Sequence, residues 1–162
     1  INESVLSHLE VIEKSDIQFI WQTGKYYSAS IQEQLKGKEI PNLKVLDFIS
    51  DMGAAYRAAD LVISRAGASS ISEFCLIGKP VILVPSPNVA EDHQTKNAMA
   101  LVNKDAAVYV KDCEAPSLLI DKAISIAGDE NKLNSLSENI KKLGFKNSAD
   151  VIADEVIKLA RR

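Results

Sequence analysis

Residues 61–85 read LVISRAGASSISEFCLIGKPVILVP. The apolar run LVIS at 61–64 has strand character, and a turn of small residues around Gly67 follows it. ISEFCLI at 71–77 reads as a helix, and Gly78 stands where helices commonly end in a left-handed residue. VILVP at 81–85 is apolar without alternation, which suits a strand buried on both faces. Two strands joined by a helix run parallel, with a right-handed crossover. One such unit decides the fold class if the rest of the chain repeats it.

The repetition is visible on both sides. Upstream, IQFIWQ (17–22) is apolar and β-rich, and Thr23-Gly24 follows it. Residues 26–36 read as a helix ending near Gly37, and NLKVLDF (42–48) as the next strand. Ser50 is placed to cap a short helix over DMGAAYRAA (51–59). Downstream, two prolines make PSPNVAED (85–92) a loop before a helix at 93–103 and a strand, AAVYV, at 106–110. The remainder is helical: 117–127 after Pro116, then helices marked by Leu133, Leu136, Ile140 and Leu143, and by Ile152, Val156 and Leu159. The expectation is an α/β, Rossmann-like, doubly wound parallel sheet forming a single domain over 1–162. The chain opens INESV, without methionine and already in a helical pattern at Ile1, Val5, Leu9 and Ile12. We therefore expect a piece cut from a longer protein.

Composition narrows the function. The 162 residues are 46% apolar and 25% charged, ordinary for a globular domain. A net charge of −3 offers no basic face, so nucleic acid is not an expected partner. No apolar run approaches the roughly 20 residues that span a bilayer, and the opening residues do not read as a secretory signal. Cys75 and Cys113 read as free thiols of a reducing compartment. His8 and His93, with no C-x-x-C or H-x-x-x-H, supply no metal site.

In open parallel sheets, ligands lie beyond the carboxyl ends of the strands. That rule selects 22–25, 48–52, 64–70 and 85–97. At 64–74, two readings compete. In one, Ser70 and Glu73 form a capping box and Gly67 is a turn. In the other, Gly67, Ala68, Ser69 and Ser70 leave helix N–H groups open to a diphosphate, and Glu73 accepts hydrogen bonds from a ribose diol. Arg65 either neutralises phosphate or covers a carboxylate. Phe48, Ile49 and Met52 put apolar surface at a strand end, where a base could stack or a core could pack. His93, Gln94 and Asn97 open a helix for which Asp92 is a candidate N-cap, and the Gln94 and Asn97 amides suit sugar hydroxyls. In chain order these are a base patch, a phosphate-binding helix end, a ribose carboxylate and sugar-binding amides.

FISDM (48–52), ADLVISRAGASSISE (59–73), GKPVILVP (78–85) and DHQTKNA (92–98) together resemble the MurG family, bacterial N-acetylglucosaminyltransferases of peptidoglycan synthesis. The likeness spans nearly the whole chain and is most specific at 48–98. It implies the C-terminal, donor-binding half of a two-domain GT-B glycosyltransferase. Phe48, Ile49 and Met52 would line the uracil site, and Glu73 would hold the ribose. Ala68, Ser69 and Ser70, with Gly67 and Arg65 close by, would meet the diphosphate and sugar. Gln94 and Asn97, with His93 adjacent, would bind the GlcNAc hydroxyls. The implied partners are UDP-GlcNAc and, through the other half, lipid-linked MurNAc-pentapeptide. The place implied is the cytoplasm, at the inner membrane for the whole enzyme.

The resemblance also implies a central first strand and a glycine-rich loop ahead of Ile1, and a catalytic base in the other half. No catalytic residue is expected in this chain, which alone should bind donor without turnover. The last helices, about 117–162, would pack on the sheet or reach toward the other half. No D-x-D is present, so neither metal nor cofactor is expected. The alternatives are another UDP-sugar enzyme of this fold, such as an epimerase, or a non-catalytic nucleotide-binding module.

Overall fold

A computed structural model describes residues 1–89 and 92–161. Ala90 and Glu91, within the loop expected at 85–92, lie outside the described residues, as does Arg162. The order is α1 (Asn2–Ser7), α2 (Leu9–Glu13), β1 (Phe19–Gln22), α3 (Lys25–Leu35), β2 (Leu43–Leu46), α4 (Met52–Ala58), β3 (Val62–Ser64) and α5 (Ala68–Ile77). There follow β4 (Val81–Leu83), α6 (His93–Val102), β5 (Val108–Tyr109), α7 (Ala115–Ala127), α8 (Glu130–Lys141) and α9 (Ser148–Ala160). All strand pairs are parallel, as the β-α-β reading of 61–85 requires.

β4 carries the core. Val81, Ile82, Leu83 and Val84 are all fully buried, and they alternate between two apolar clusters. Val81 and Leu83 pack with Phe74 and Cys75 of α5, Leu101 of α6 and Ile140 of α8. Ile82 and Val84 pack with Leu119, Ala123 and Ile126 of α7 and Leu136 of α8. Burying one such aliphatic side chain is worth about 1.5–3 kcal/mol, so both layers close on a single strand. Gly78 ends α5 in the left-handed conformation at φ 69°, as the sequence predicts. Its carbonyl accepts from Ser137 Oγ at 2.7 Å, tying α5 to α8.

Three local expectations are corrected. The first helix is broken: His8 leaves the helical region at φ −121°, ψ 24°, and its Nδ1 lies 3.0 Å from the Ser4 carbonyl. The side chain thereby turns back on the helix it terminates. The cap of α4 is Asp51, whose carboxylate accepts from Ala54 N–H at 2.8 Å, and not Ser50. Asp92 does occupy the N-cap position of α6, but at φ 52° its side chain makes no capping bond.

The strands form two ladders, β1–β2 and β3–β4–β5, with no pairing between β1 and β3 among the described residues. α7 spans the two. Its Leu119, Ala123 and Ile126 pack under β4, while Ile120 joins Trp21 of β1 and Val5, Leu9 and Ile12 of α1 and α2.

Candidate functional site

The candidate residues gather at the carboxyl ends of β2, β3 and β4. After β2, the loop is pinned from β1: Gln22 Oε1 accepts from Ile49 N–H at 2.9 Å. Phe48 is left 58% exposed, with Lys25 Nζ 5.7 Å from its ring centroid. Ile49 and Met52 are half-buried beside it. Phe48 therefore stands outside the core, on a loop held by a side chain of β1.

After β3, the capping-box reading fails. The N-cap of α5 is Gly67, which has no side chain, and no side-chain cap bond forms there. Ser70 already lies inside the first turn. The first intrahelical bond runs from Ile71 N–H to the Gly67 carbonyl at 3.0 Å. The N–H groups of Ala68, Ser69 and Ser70 therefore stand ahead of the ladder, at the positive end of the helix dipole. Ala68 and Ser69 are exposed. Glu73 is exposed on the next turn, and its Oε2 accepts from Tyr56 Oη at 3.2 Å.

Arg65 covers a carboxylate. Its Nη1 donates to Asp112 and to the carbonyls of Val84 and Pro85, at 3.0 and 3.2 Å for the carbonyls. The guanidinium thus ties the ends of β3 and β4 to the turn after β5. It stands at the base of the α5 turn as a brace whose charge is already balanced.

α6 holds the same turn from the other side. Gln94 Oε1 accepts from Ser86 N–H at 2.9 Å and from Ala66 N–H at 3.3 Å. Asn97 Nδ2 donates to the Ala66 carbonyl at 3.2 Å. The buried Ala66 backbone is therefore gripped on both its polar groups by one helix. Those bonds leave the Gln94 amide N–H₂ and the Asn97 carbonyl unused. His93 is exposed at the start of α6.

Tyr56 is the site residue that the sequence reading missed. It lies one helical turn after Met52 on α4, so the two share a face. That i, i+4 spacing within DMGAAYRAA was the available signal. Its ring meets Phe74 edge-on, with centroids 5.6 Å apart at 81°. Burial, and then the charge of Glu73, raises the Tyr56 phenol above its usual range. It is a hydrogen-bond donor at neutral pH. Among the described residues, no group of His, Cys, Asp and Glu is arranged to hold a metal ion. Cys75 and Cys113 are free thiols, and burial pushes the Cys75 thiol up.

Residues 1–153 match the family model of the glycosyltransferase family 28 C-terminal domain. The chain is 63% identical over 99% of its length to a Bacteroides thetaiotaomicron protein named UDP-N-acetylglucosamine–N-acetylmuramyl-(pentapeptide) pyrophosphoryl-undecaprenol N-acetylglucosamine transferase. It is 47% identical over 98% of its length to a Cytophaga hutchinsonii protein of the same name. It covers 44% and 42% of those relatives, so it spans less than half of their length. The crystal structure of Acinetobacter baumannii MurG superposes with a TM-score of 0.78 at 23% identity, covering 98% of this chain and 49% of that one. A glycotransferase of kitacinnamycin superposes with a TM-score of 0.67, also at 23% identity, covering 91% of this chain and 38% of that one. These likenesses establish the same fold.

Proposed function

The chain belongs to the family of glycosyltransferase family 28 C-terminal domains, and from that premise we propose that it is the donor-binding half of a hexosyltransferase. The donor is UDP-GlcNAc. The acceptor is the C4 hydroxyl of lipid-linked MurNAc-pentapeptide, reached through the other half, and transfer inverts the anomeric centre. The observation that carries this reading is identity of 63% along the whole chain to a relative named for that reaction.

The residues divide the work by chemistry. Phe48, Ile49 and Met52 would receive the uracil, and Glu73 the ribose diol. The N–H groups of Ala68, Ser69 and Ser70 would meet the diphosphate. As the anomeric bond breaks, negative charge grows on the departing UDP, and oriented N–H groups at a helix end stabilise charge that develops there. Gly67 allows the close approach. Gln94 and Asn97 would use the amide atoms left over from gripping Ala66 to hold GlcNAc hydroxyls, with His93 at the rim. Arg65 would act through the shape of the turn, which its bonds to Asp112, Val84 and Pro85 hold. The proton of the attacking hydroxyl would leave to a base in the other half.

The whole enzyme would sit peripherally on the cytoplasmic face of the bacterial inner membrane. Among the described residues, no helix is long and apolar enough to cross a membrane. α9 supports a two-half arrangement. It has no buried residue, and Val151, Ile152, Val156 and Leu159 are 50–65% exposed along it. We assign that apolar stripe to contact with the other half.

Calorimetric titration of the full-length transferase with UDP and UDP-GlcNAc tests the reading. Glu73→Ala should weaken UDP by more than about 1 kcal/mol, the scale of a lost hydrogen bond to a charged group. Wild-type affinity in that variant would overturn the ribose assignment.

A further inference from the structure

We propose that Tyr56 is a positioning residue for the Glu73 carboxylate and through it a determinant of ribose recognition. The inference rests on the reading of Glu73 as the ribose acceptor. It adds the group that sets where the carboxylate points.

Glu73 is exposed, and a glutamate on a helix surface samples several rotamers. The Tyr56 hydroxyl donates to one of its oxygens, Oε2, at 3.2 Å. The phenol has little freedom of its own. Its ring lies edge-on to Phe74, which is 1% exposed in the core, and its backbone belongs to α4. The bond therefore transmits the rigidity of the core to a surface carboxylate. Oε1 is not used by this bond, and Oε2 retains a second lone pair, so two acceptor positions stand ready for two adjacent hydroxyls. A carboxylate already ordered loses less rotamer freedom on binding.

The same contact joins two parts of the site. Tyr56 shares its helix face with Met52 of the apolar patch, while Glu73 and the open N–H groups belong to α5. One phenol thus links the helix of the base surface to the ribose acceptor.

Tyr56→Phe isolates the hydroxyl, because the ring and its packing on Phe74 remain. The experiment is calorimetric titration of the full-length transferase with UDP, in the wild type, Tyr56→Phe, Glu73→Ala and the double variant, with melting midpoints beside it. Tyr56→Phe should weaken UDP about 3- to 10-fold, the range expected for freeing one side chain that binding must then order. Its midpoint should stay near the wild-type value. In the Glu73→Ala background the same change should have no further effect. Wild-type affinity in Tyr56→Phe, with Glu73→Ala weakened, would overturn the inference and leave the ribose reading standing. A Tyr56→Phe loss that persists without Glu73 would also overturn it, because the hydroxyl would then act elsewhere. Wild-type affinity in Glu73→Ala would remove both.

Discussion

Gly67 has backbone angles of φ −69°, ψ 144°, which any residue adopts. A Cβ built there would meet Ser70 Oγ at 3.9 Å, an ordinary contact. The protein's own geometry does not require glycine, so the requirement, if there is one, comes from a ligand. Gly67→Ala should therefore change stability by less than about 1 kcal/mol, the difference between glycine and alanine at an N-cap. UDP affinity should nevertheless fall, by about tenfold for a methyl group set against a phosphate. Denaturant titration and calorimetry on one preparation would separate the two effects. Equal affinity would mean that the diphosphate stays clear of this backbone. Residue identity alone could not have shown this, since glycine reads the same way in a strained turn and in an open one.

At the scale of elements, α5 and the end of α8 touch through backbone. A Cβ on Gly144 would stand 2.7 Å from the Cys75 carbonyl oxygen and 3.1 Å from its carbon. Neither atom can move without moving the helix. Gly144→Ala should cost about 1–3 kcal/mol, the usual penalty for overpacking, read as a lowered denaturation midpoint. Because α5 also carries Glu73, a retained UDP affinity would show that the site tolerates the shift. The apolar periods located nearly all of these elements, since burial on one face leaves a repeating mark. Their ends were less legible. The break at His8 depends on a bond to the Ser4 carbonyl, and the Asp51 cap wins over the neighbouring serine by geometry. In the candidate site, the strand-end rule selected loops that the fold brings together at the ends of β2, β3 and β4. It could not tell ligand contacts from braces, because Arg65, Gln94 and Asn97 turn to backbone groups brought near only by folding. Tyr56 escaped notice because its partner lies on another helix.

At the scale of the molecule, the two ladders leave β1 and β3 each with one unpaired edge among the described residues. Unpaired strand edges are templates for association. Extending the chain before Ile1 with the corresponding residues of a curated relative should supply a parallel strand between them. The extended protein should show a higher melting midpoint and less concentration-dependent association, measured by calorimetry and light scattering. An unchanged midpoint would mean that the edges are satisfied in another way. The parallel pairing within each ladder was foreseeable from the alternation of strands and helices. The helix that bridges the two ladders was not, since nothing in the sequence of α7 says that its two neighbours belong to separate ladders.

That bridge also sets an order of events during synthesis. β1 to β5 all leave the ribosome before α7, which begins at Ala115. Each ladder closes over short sequence distances, but the apolar cluster that holds both Ile120 and Trp21 joins segments far apart in the chain. Such long-range closure is slow. Within residues 1–161, therefore, the core that the two ladders share through α7 completes only when the last third arrives. Until then, the loop after β2 and the loops after β3 and β4 rest on separate ladders.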